Sequence, residues 1–405
     1  MKKLLFSLLM LAGLTSCNKD VDQPGDIMQS APTGVTLQEQ MKNNAADSLF
    51  YRLLIHGGQE SLIADSNKQF TVFVPDNQAM KRFINAASGG LVPILAPDFV
   101  FSQFITTALT PVQAAGLVQY NIIPQYIKSI NIGSGFPNFP YPSCINPAPT
   151  VSPFTRLNLY PSKQNGAWLN ILPITGVDQL TRNGVIHHTA GLAVPPQKML
   201  WERINADNEL TYLKAAIIRA DSGTATQTSP GFFQGYLNQF GPTFTVFAPT
   251  DDAFKTILRG LITQALMSQG LDLSTALTQA TALSSSSDVF NNSALFPVLT
   301  AKTVKGILAY HILGNIVFTN NFPTAETSVP SLLKLNPDDP AAIPLNVKIK
   351  AAFGTPFVSA ASVKGLANST AANIIIDNRP EPTGSSDQFY VNGVLHKIDA
   401  VLMPQ

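Results

Sequence analysis

Two stretches of the chain carry nearly the same order of apolar and polar positions. Phe70-Thr71-Val72-Phe73-Val74 and Phe244-Thr245-Val246-Phe247-Ala248 mix aromatic and β-branched residues, a buried-strand composition, and each is stopped by a proline, Pro75 or Pro249, that lacks an amide donor. Asp76 and Thr250 follow as candidate N-caps, and Asp251 and Asp252 suit the positive end of a helix. Met80, Phe83 and Ile84 then recur at helical spacing, answered by the run Ala253 to Leu258. The pattern predicts a strand, a stop and a capped helix, twice.

Two further landmarks recur in the same order. Tyr120-Asn121-Ile122-Ile123 answers to Tyr310-His311-Ile312-Leu313, and Asn183-Gly184-Val185-Ile186-His187 to Asn392-Gly393-Val394-Leu395-His396. The offset between matched positions grows from 174 (70 to 244) through 190 (120 to 310) to 209 (183 to 392). A copied module with insertions in the second copy produces this ordered growth. The stretches around Ser284 to Ser287 and Asn336 to Pro340 are expected to absorb the extra residues, and Thr224 to Pro230 to form an exposed loop. Helices over 47–55 and 209–219 are expected ahead of each first strand. The Asn-Gly dipeptides predict tight hairpin turns with positive φ, and Pro195-Pro196 and Pro404 end the two copies.

Length and composition agree with two ordinary globular units. The 405 residues are 45% apolar, with 26 Lys+Arg against 25 Asp+Glu, so no basic excess exists to grip nucleic acid. Charged residues are only 13%, about half the roughly 25% usual for soluble domains, which leaves a polar, weakly charged surface. Two cysteines cannot build a disulfide scaffold.

At the N-terminus, Lys2 and Lys3 precede the apolar run Leu4 to Ala12, the order of a secretory signal and too short to span a bilayer. Leu14-Thr15-Ser16-Cys17 resembles a bacterial lipobox, which implies removal of residues 1–16 and acylation of Cys17. Asn18-Lys19-Asp20-Val21-Asp22 resembles the tether that sends lipoproteins of Bacteroidetes-type bacteria to the outer cell surface; a plain solvated linker fits residues 17–34 as well.

The strand-Pro-cap motif, the downstream Tyr-His-Ile-Leu and the terminal Asn-Gly-Val-Leu-His resemble the fasciclin domain, in two copies. The resemblance implies an α+β fold: two tandem fasciclin-like domains, 35–199 and 200–405, each a twisted β-sandwich wedge with packed helices. It also implies extracellular adhesion or ligand binding, and in some animal members the Tyr-His region is associated with integrin contact. Tyr310 and His311 carry that pattern; the first copy has Asn121 after Tyr120, so a role needing imidazole does not extend to it. Packing of Tyr310 beside a hydrogen-bonded imidazole explains the same residues.

Other candidates have simpler readings beside the chemical ones. His187 and His396 lie in apolar strands, where backbone hydrogen bonding competes with a metal or catalytic role. His187 and His188 are neighbours on a strand and point to opposite faces. His56 stands alone. Asp251 and Asp252 read as helix-end residues rather than metal ligands, and Asp221 with Glu209, or Asp338 with Asp339, suit solvated faces better than acid-base chemistry. Gly-x-Ser-x-Gly, P-loop and His-Glu-x-x-His signatures are missing. Cys144 reads as a buried free thiol or an intermolecular disulfide partner. It lies in the Pro-rich insertion Phe136 to Pro149, where Phe139 and Tyr141 are placed either to present rings to a glycan or protein or to pack on their own domain.

The expectation is a lipid-anchored outer-membrane protein facing the cell exterior. It needs no catalytic residue, metal or cofactor, and uses Tyr310, His311, Tyr120, Phe139 and Tyr141 as candidate contacts for an extracellular protein or glycan. The alternatives are an accessory glycan- or peptide-binding subunit of an outer-membrane nutrient importer, partnered with its transporter, and a hydrolase with an unrecognised site.

Overall fold

The computed structural model describes residues 34–222, 231–334, 343–354 and 357–404. The expected signal, Cys17, nearly all of the tether, the 224–230 loop and the 336–340 turn lie outside the described residues.

The first half begins with helices α1 (Leu37–Asn43), α2 (Ser48–His56) and α3 (Glu60–Ala64), then strand β1 (Phe70–Pro75). Helices α4 (Asn77–Ala87), α5 (Asp98–Ala108) and α6 (Pro111–Tyr120) lead to β2 (Ile122–Ile123). Short strands β3 (Tyr141–Pro142), β4 (Asn158–Leu159), β5 (Pro161–Ser162) and β6 (Trp168–Leu169) precede the hairpin of β7 (Leu172–Thr181) and β8 (Gly184–Thr189). The second half repeats the plan with α7 (Leu200–Ala206), α8 (Thr211–Ala220), α9 (Phe232–Tyr236), β9 (Phe244–Pro249), α10 (Asp251–Ser268), α11 (Leu273–Leu283), α12 (Ala301–Tyr310) and β10 (Ile312–Leu313). A meander of β11 (Thr327–Lys334), β12 (Pro344–Phe353), β13 (Val358–Lys364) and β14 (Ala372–Ile374) then reaches β15 (Gln388–Tyr390) and β16 (Gly393–Ile398). The fold class is α+β, and the second half repeats the plan of the first.

Strand register makes the repetition explicit. The sheets run β2-β1-β8-β7-β6-β5 and β10-β9-β16-β14-β13-β12-β11, with β15 also on β16. In each half the first long strand pairs in parallel with the last: Phe70 faces Gly184 and Phe73 faces His187, just as Phe244 faces Gly393 and Phe247 faces His396. The antiparallel neighbour keeps step too, Val72 with Ile122 and Val246 with Ile312. These pairs fall on the three offsets read from the sequence. Both first strands are buried throughout because each is covered on both faces. Phe70, Val72 and Val74 meet the helices, including Leu53, Met80 and Val118, while Phe73 faces the sheet side with Tyr120, Leu159 and Leu169. Val246 and Phe247 divide the second half in the same way.

The caps form as the sequence predicts: Asp76 Oδ1 accepts from Ala79 N at 2.7 Å and Thr250 Oγ1 from Ala253 N at 3.4 Å. The second half is longer in helix α10, in the 284–300 segment that contains the expected Ser284 to Ser287 stretch, and in the meander.

The Asn-Gly turns depart from expectation. The two-residue hairpin links are Arg182-Asn183 and Val391-Asn392, and the left-handed residues nearby are Asp178 (φ 59) and Asp387 (φ 54), not the Asn-Gly pairs. Each glycine is already in its strand, where closeness rather than φ excludes a side chain. A Cβ at Gly184 would sit 2.2 Å from Phe70 O, and one at Gly393 2.4 Å from Phe244 O. Each asparagine instead ties the first helix to the hairpin, accepting from Leu37 N at 2.8 Å and from Leu200 N at 2.9 Å.

A second clamp holds the segment leaving each module. His311 donates from Nδ1 to Ile307 O at 2.8 Å and accepts at Nε2 from Leu402 N at 2.8 Å. Asn121 reproduces both bonds with its amide, Nδ2 to Leu117 O at 2.8 Å and Oδ1 from Ala193 N at 3.2 Å, and adds Nδ2 to Ala193 O. Burial lowers the His311 pKa to about 4.

The clamp and the two glycine sites make predictions for stability. In urea unfolding at pH 7, His311→Asn should stay within about 1 kcal/mol of the parent while His311→Leu loses about 2–4 kcal/mol, because it orphans a buried amide and a carbonyl. The parent His311 is neutral when folded and gains a proton only on unfolding above about pH 4. Its contribution is therefore complete above about 6.5 and shrinks as pH falls toward 4, so His311→Asn should flatten the acid limb of the stability profile. Gly393→Ala should cost about 1–3 kcal/mol by parting β9 from β16, whereas Gly260→Ala, in the open middle of α10 with nothing within 4 Å of the new Cβ, should stabilise by about 0.5–1 kcal/mol.

Candidate functional site

The recurring polar residues are consumed inside the two modules. Tyr120 and Tyr310 are fully buried, their hydroxyls donating to Asn158 O at 3.1 Å and Asn346 O at 2.7 Å, and His311 is 1% exposed. These three sequence candidates present no ring to solvent, and both ring nitrogens of His311 are occupied by the clamp. The expectation that they contact an external ligand gives way to an internal role in closing each module.

His187 and His396 sit in matched networks that resemble a hydrolytic triad in composition but not in connection. Nε2 of each ring bonds a backbone carbonyl, Ile127 O or Val317 O, both at 2.9 Å. Nδ1 accepts from the backbone amide of Asp178 at 3.3 Å or Asp387 at 3.1 Å, which fixes the neutral Nε2–H tautomer. Burial lowers both imidazole pKa values. Each aspartate carboxylate accepts from a hydroxyl and an amide one loop away: Ser129 for Asp178, and Thr319 for Asp387, with Thr319 N at 2.7 Å and Oγ1 at 2.6 Å. At Asp178 burial works against the charge, but the two Ser129 bonds outweigh it and the pKa is lowered. The hydroxyl proton points to the carboxylate rather than to imidazole, so the ring cannot act as its base.

His188 pairs with buried Asp47 at 3.2 Å, and that hydrogen bond raises its pKa against the effect of burial. Lys397 occupies the matched position in the second half and bridges Asp207 and Glu209, both at 2.7 Å. His56 bonds Leu109 O at 2.8 Å. Asp251 caps the neighbouring helix α8, accepting from Tyr212 N at 3.0 Å and Thr211 Oγ1 at 2.6 Å, and Asn77 does the same for α2 through Leu49 N at 3.0 Å. Asp252 is exposed beside Lys255 at 3.0 Å. Asp221 accepts from Phe233 N and Gln234 N at the start of α9, away from the Glu209–Lys397 pair. Asp338 and Asp339 lie outside the described residues. Cys144 is a half-buried free thiol whose pKa burial pushes up to about 11, an unreactive state. Among the described residues, no group of three or more His, Cys, Asp or Glu could hold a metal ion, and no helix is long and apolar enough to cross a membrane.

The insertion Phe136 to Pro149 behaves differently. Its start reaches the other half: Phe136 packs on the cluster around Phe247, Tyr310 and Phe322, and Asn138 Nδ2 donates to Asn321 Oδ1. Phe139 is 70% exposed, with its ring edge-on to Tyr141 at 5.5 Å, so one of the two predicted rings is freely presented and the other is half-buried behind it. The seam between the halves continues with Asn165 Nδ2 to Phe322 O and Asn320 Nδ2 to Asn170 O, both 2.8 Å, and with Tyr160 edge-on to Phe318 and Phe389.

Beside this seam lies a cleft of about 330 Å³, within the size range of small-molecule sites and at the place where domains meet. Pro147, Val151, Thr155, Arg156, Leu157, Asn158 and Tyr160 form one wall; Phe240, Gly241, Thr243, Ile316, Phe389 and Val391 form the other. Sequence reasoning marked only the insertion that supplies Pro147. The residues 151–160 that follow it and those of the second half match no motif, and only the docking of the halves brings the two walls together.

Comparison with known proteins bears on the second half in particular. No curated protein matches the chain. Among solved structures, the chain is similar to a FAS1 domain pair from the insect cell adhesion molecule Fasciclin I, at 14% identity and a TM-score of 0.32, over 89% of this chain and 97% of that one. Residues 231–404 match the family model of the fasciclin domain.

Proposed function

We propose that the chain is a non-catalytic adhesion or ligand-binding protein, held outside the cell by acylated Cys17, that engages its partner at the seam between its two modules. The observation that carries this reading is the division of labour among its polar and aromatic residues. Imidazoles, carboxylates and hydroxyls arranged for chemistry in other proteins are bonded to backbone or to one another here, while Phe139 and the seam cleft remain open to solvent. The similarity of residues 231–404 to the fasciclin domain points the same way. The exposed Phe139 ring also suits a second reading, an accessory subunit that holds a glycan or peptide for an outer-membrane transporter; stoichiometric co-purification of a transporter from solubilised membranes would favour it.

Three experiments test the proposal. Cys17→Ala should abolish incorporation of labelled palmitate and move the protein from the membrane to the soluble fraction; unchanged membrane retention would refute the anchor. Protease added to intact cells should remove the parent protein. Phe139→Ala should keep the parent's stability within about 0.5 kcal/mol, since its ring is largely exposed, and should lower attachment of displaying cells to matrix or to one another at least several-fold. Attachment at the parent level, with intact folding, would sink the role of the insertion.

A further inference from the structure

The walls of the seam cleft specify a ligand class. Among the described residues that line it, Arg156 is the one charged side chain. Its Nη1 donates to Pro153 O at 2.7 Å and to Thr155 O at 2.8 Å, which fixes the guanidinium at the wall. A guanidinium is a planar fork of donors matched to a carboxylate, and an ammonium there would meet an uncompensated like charge. Most of the remaining wall is aromatic or aliphatic: Tyr160 from the first half, and Phe240, Ile316 and Phe389 from the second. Polyhydroxylated ligands need a dense set of polar partners, and this wall offers them few; an apolar body gains from leaving water against such a surface.

We propose that the cleft binds a small organic carboxylate with an apolar body, the head on Arg156 and the body against the rings of Phe240 and Phe389. The inference rests on the reading of the seam as a binding site and adds the chemistry of what is bound. Because its walls come from both halves, occupancy ties the two modules together.

Calorimetric titration of the full-length protein with 4-phenylbutyrate, 4-phenylbutan-1-ol and 4-phenylbutylamine keeps the body constant and changes the head. The carboxylate should bind one to one and at least tenfold tighter than the alcohol, with the amine weakest. Arg156→Gln, at an exposed position, should erase the difference between acid and alcohol, and Val151→Trp, at the 73% exposed rim, should block both. Equal binding of acid and amine, acid binding untouched by Arg156→Gln, or no binding by any of the three overturns the proposal. The two levels separate cleanly. Loss of binding in Val151→Trp with no effect of Arg156→Gln keeps the cleft as a site and rejects the carboxylate; binding indifferent to Val151→Trp rejects the cleft itself.

Discussion

The parallel pairing of each module's first long strand with its last is the constraint on which the rest of the structure depends. Parallel neighbours cannot be joined by a short turn, so the whole body between β1 and β8, and between β9 and β16, serves as one crossover connection. The helices fill one face of the pair and the remaining strands fold over the other, which is why the first strand of each pair is buried along its full length. Closing a loop of more than a hundred residues costs chain entropy that local contacts do not repay. Gly184 and Gly393 let the backbones approach, Asn183 and Asn392 tie the first helix to the closure, and Asn121 and His311 hold the exit segment down. Each device acts where the two ends of a module meet.

The seam between modules is built by different means. Where a protein of ordinary charge would have ion pairs available, this weakly charged chain uses side-chain amides: Asn138 with Asn321, Asn165 with Phe322 O, and Asn320 with Asn170 O. Neutral amides avoid the cost of desolvating buried ions and still fix direction. The arrangement leaves Asn138 Oδ1, Asn320 Oδ1 and Asn321 Nδ2 buried without a protein partner. Each such group costs about 1–3 kcal/mol unless water reaches it. The stacked edges of Tyr160, Phe318 and Phe389 supply the apolar contact that offsets this.

Local signals carried much of the fold and almost none of the site. Strand composition, prolines and caps at Phe70 to Asp76 and Phe244 to Thr250 are short-range chemistry, and the three ordered offsets turned them into a duplication. The Asn-Gly dipeptides were misread in detail because their usual turn geometry is a local preference, whereas here Leu37, Leu200 and the facing carbonyls decide the outcome. Tyr310 and His311 were legible as a recurring pair, but burial is a tertiary property that a motif does not display. Arg156 and Phe240 gave no signal at all, since their meaning arises only when two modules dock in one orientation.

Internal duplication supplies a comparison within a single molecule. Where the halves agree in geometry, the shared role is structural, and the strongest case is the one in which the residue types differ. Asn121 and His311 make the same two bonds with an amide and an imidazole, so that position requires a donor and an acceptor at a set spacing rather than an ionisable ring. The same argument applies to Ser129 and Thr319, and to Asn77 and Asp251. Several features that the halves do not share lie at their junction: the insertion with Phe139 and Pro147, the pinned Arg156, and the Phe240 loop. A residue kept by the demands of the fold would recur in both copies. These do not, and they face the cleft or the solvent beside it, so the proposed binding site falls where the two copies have diverged.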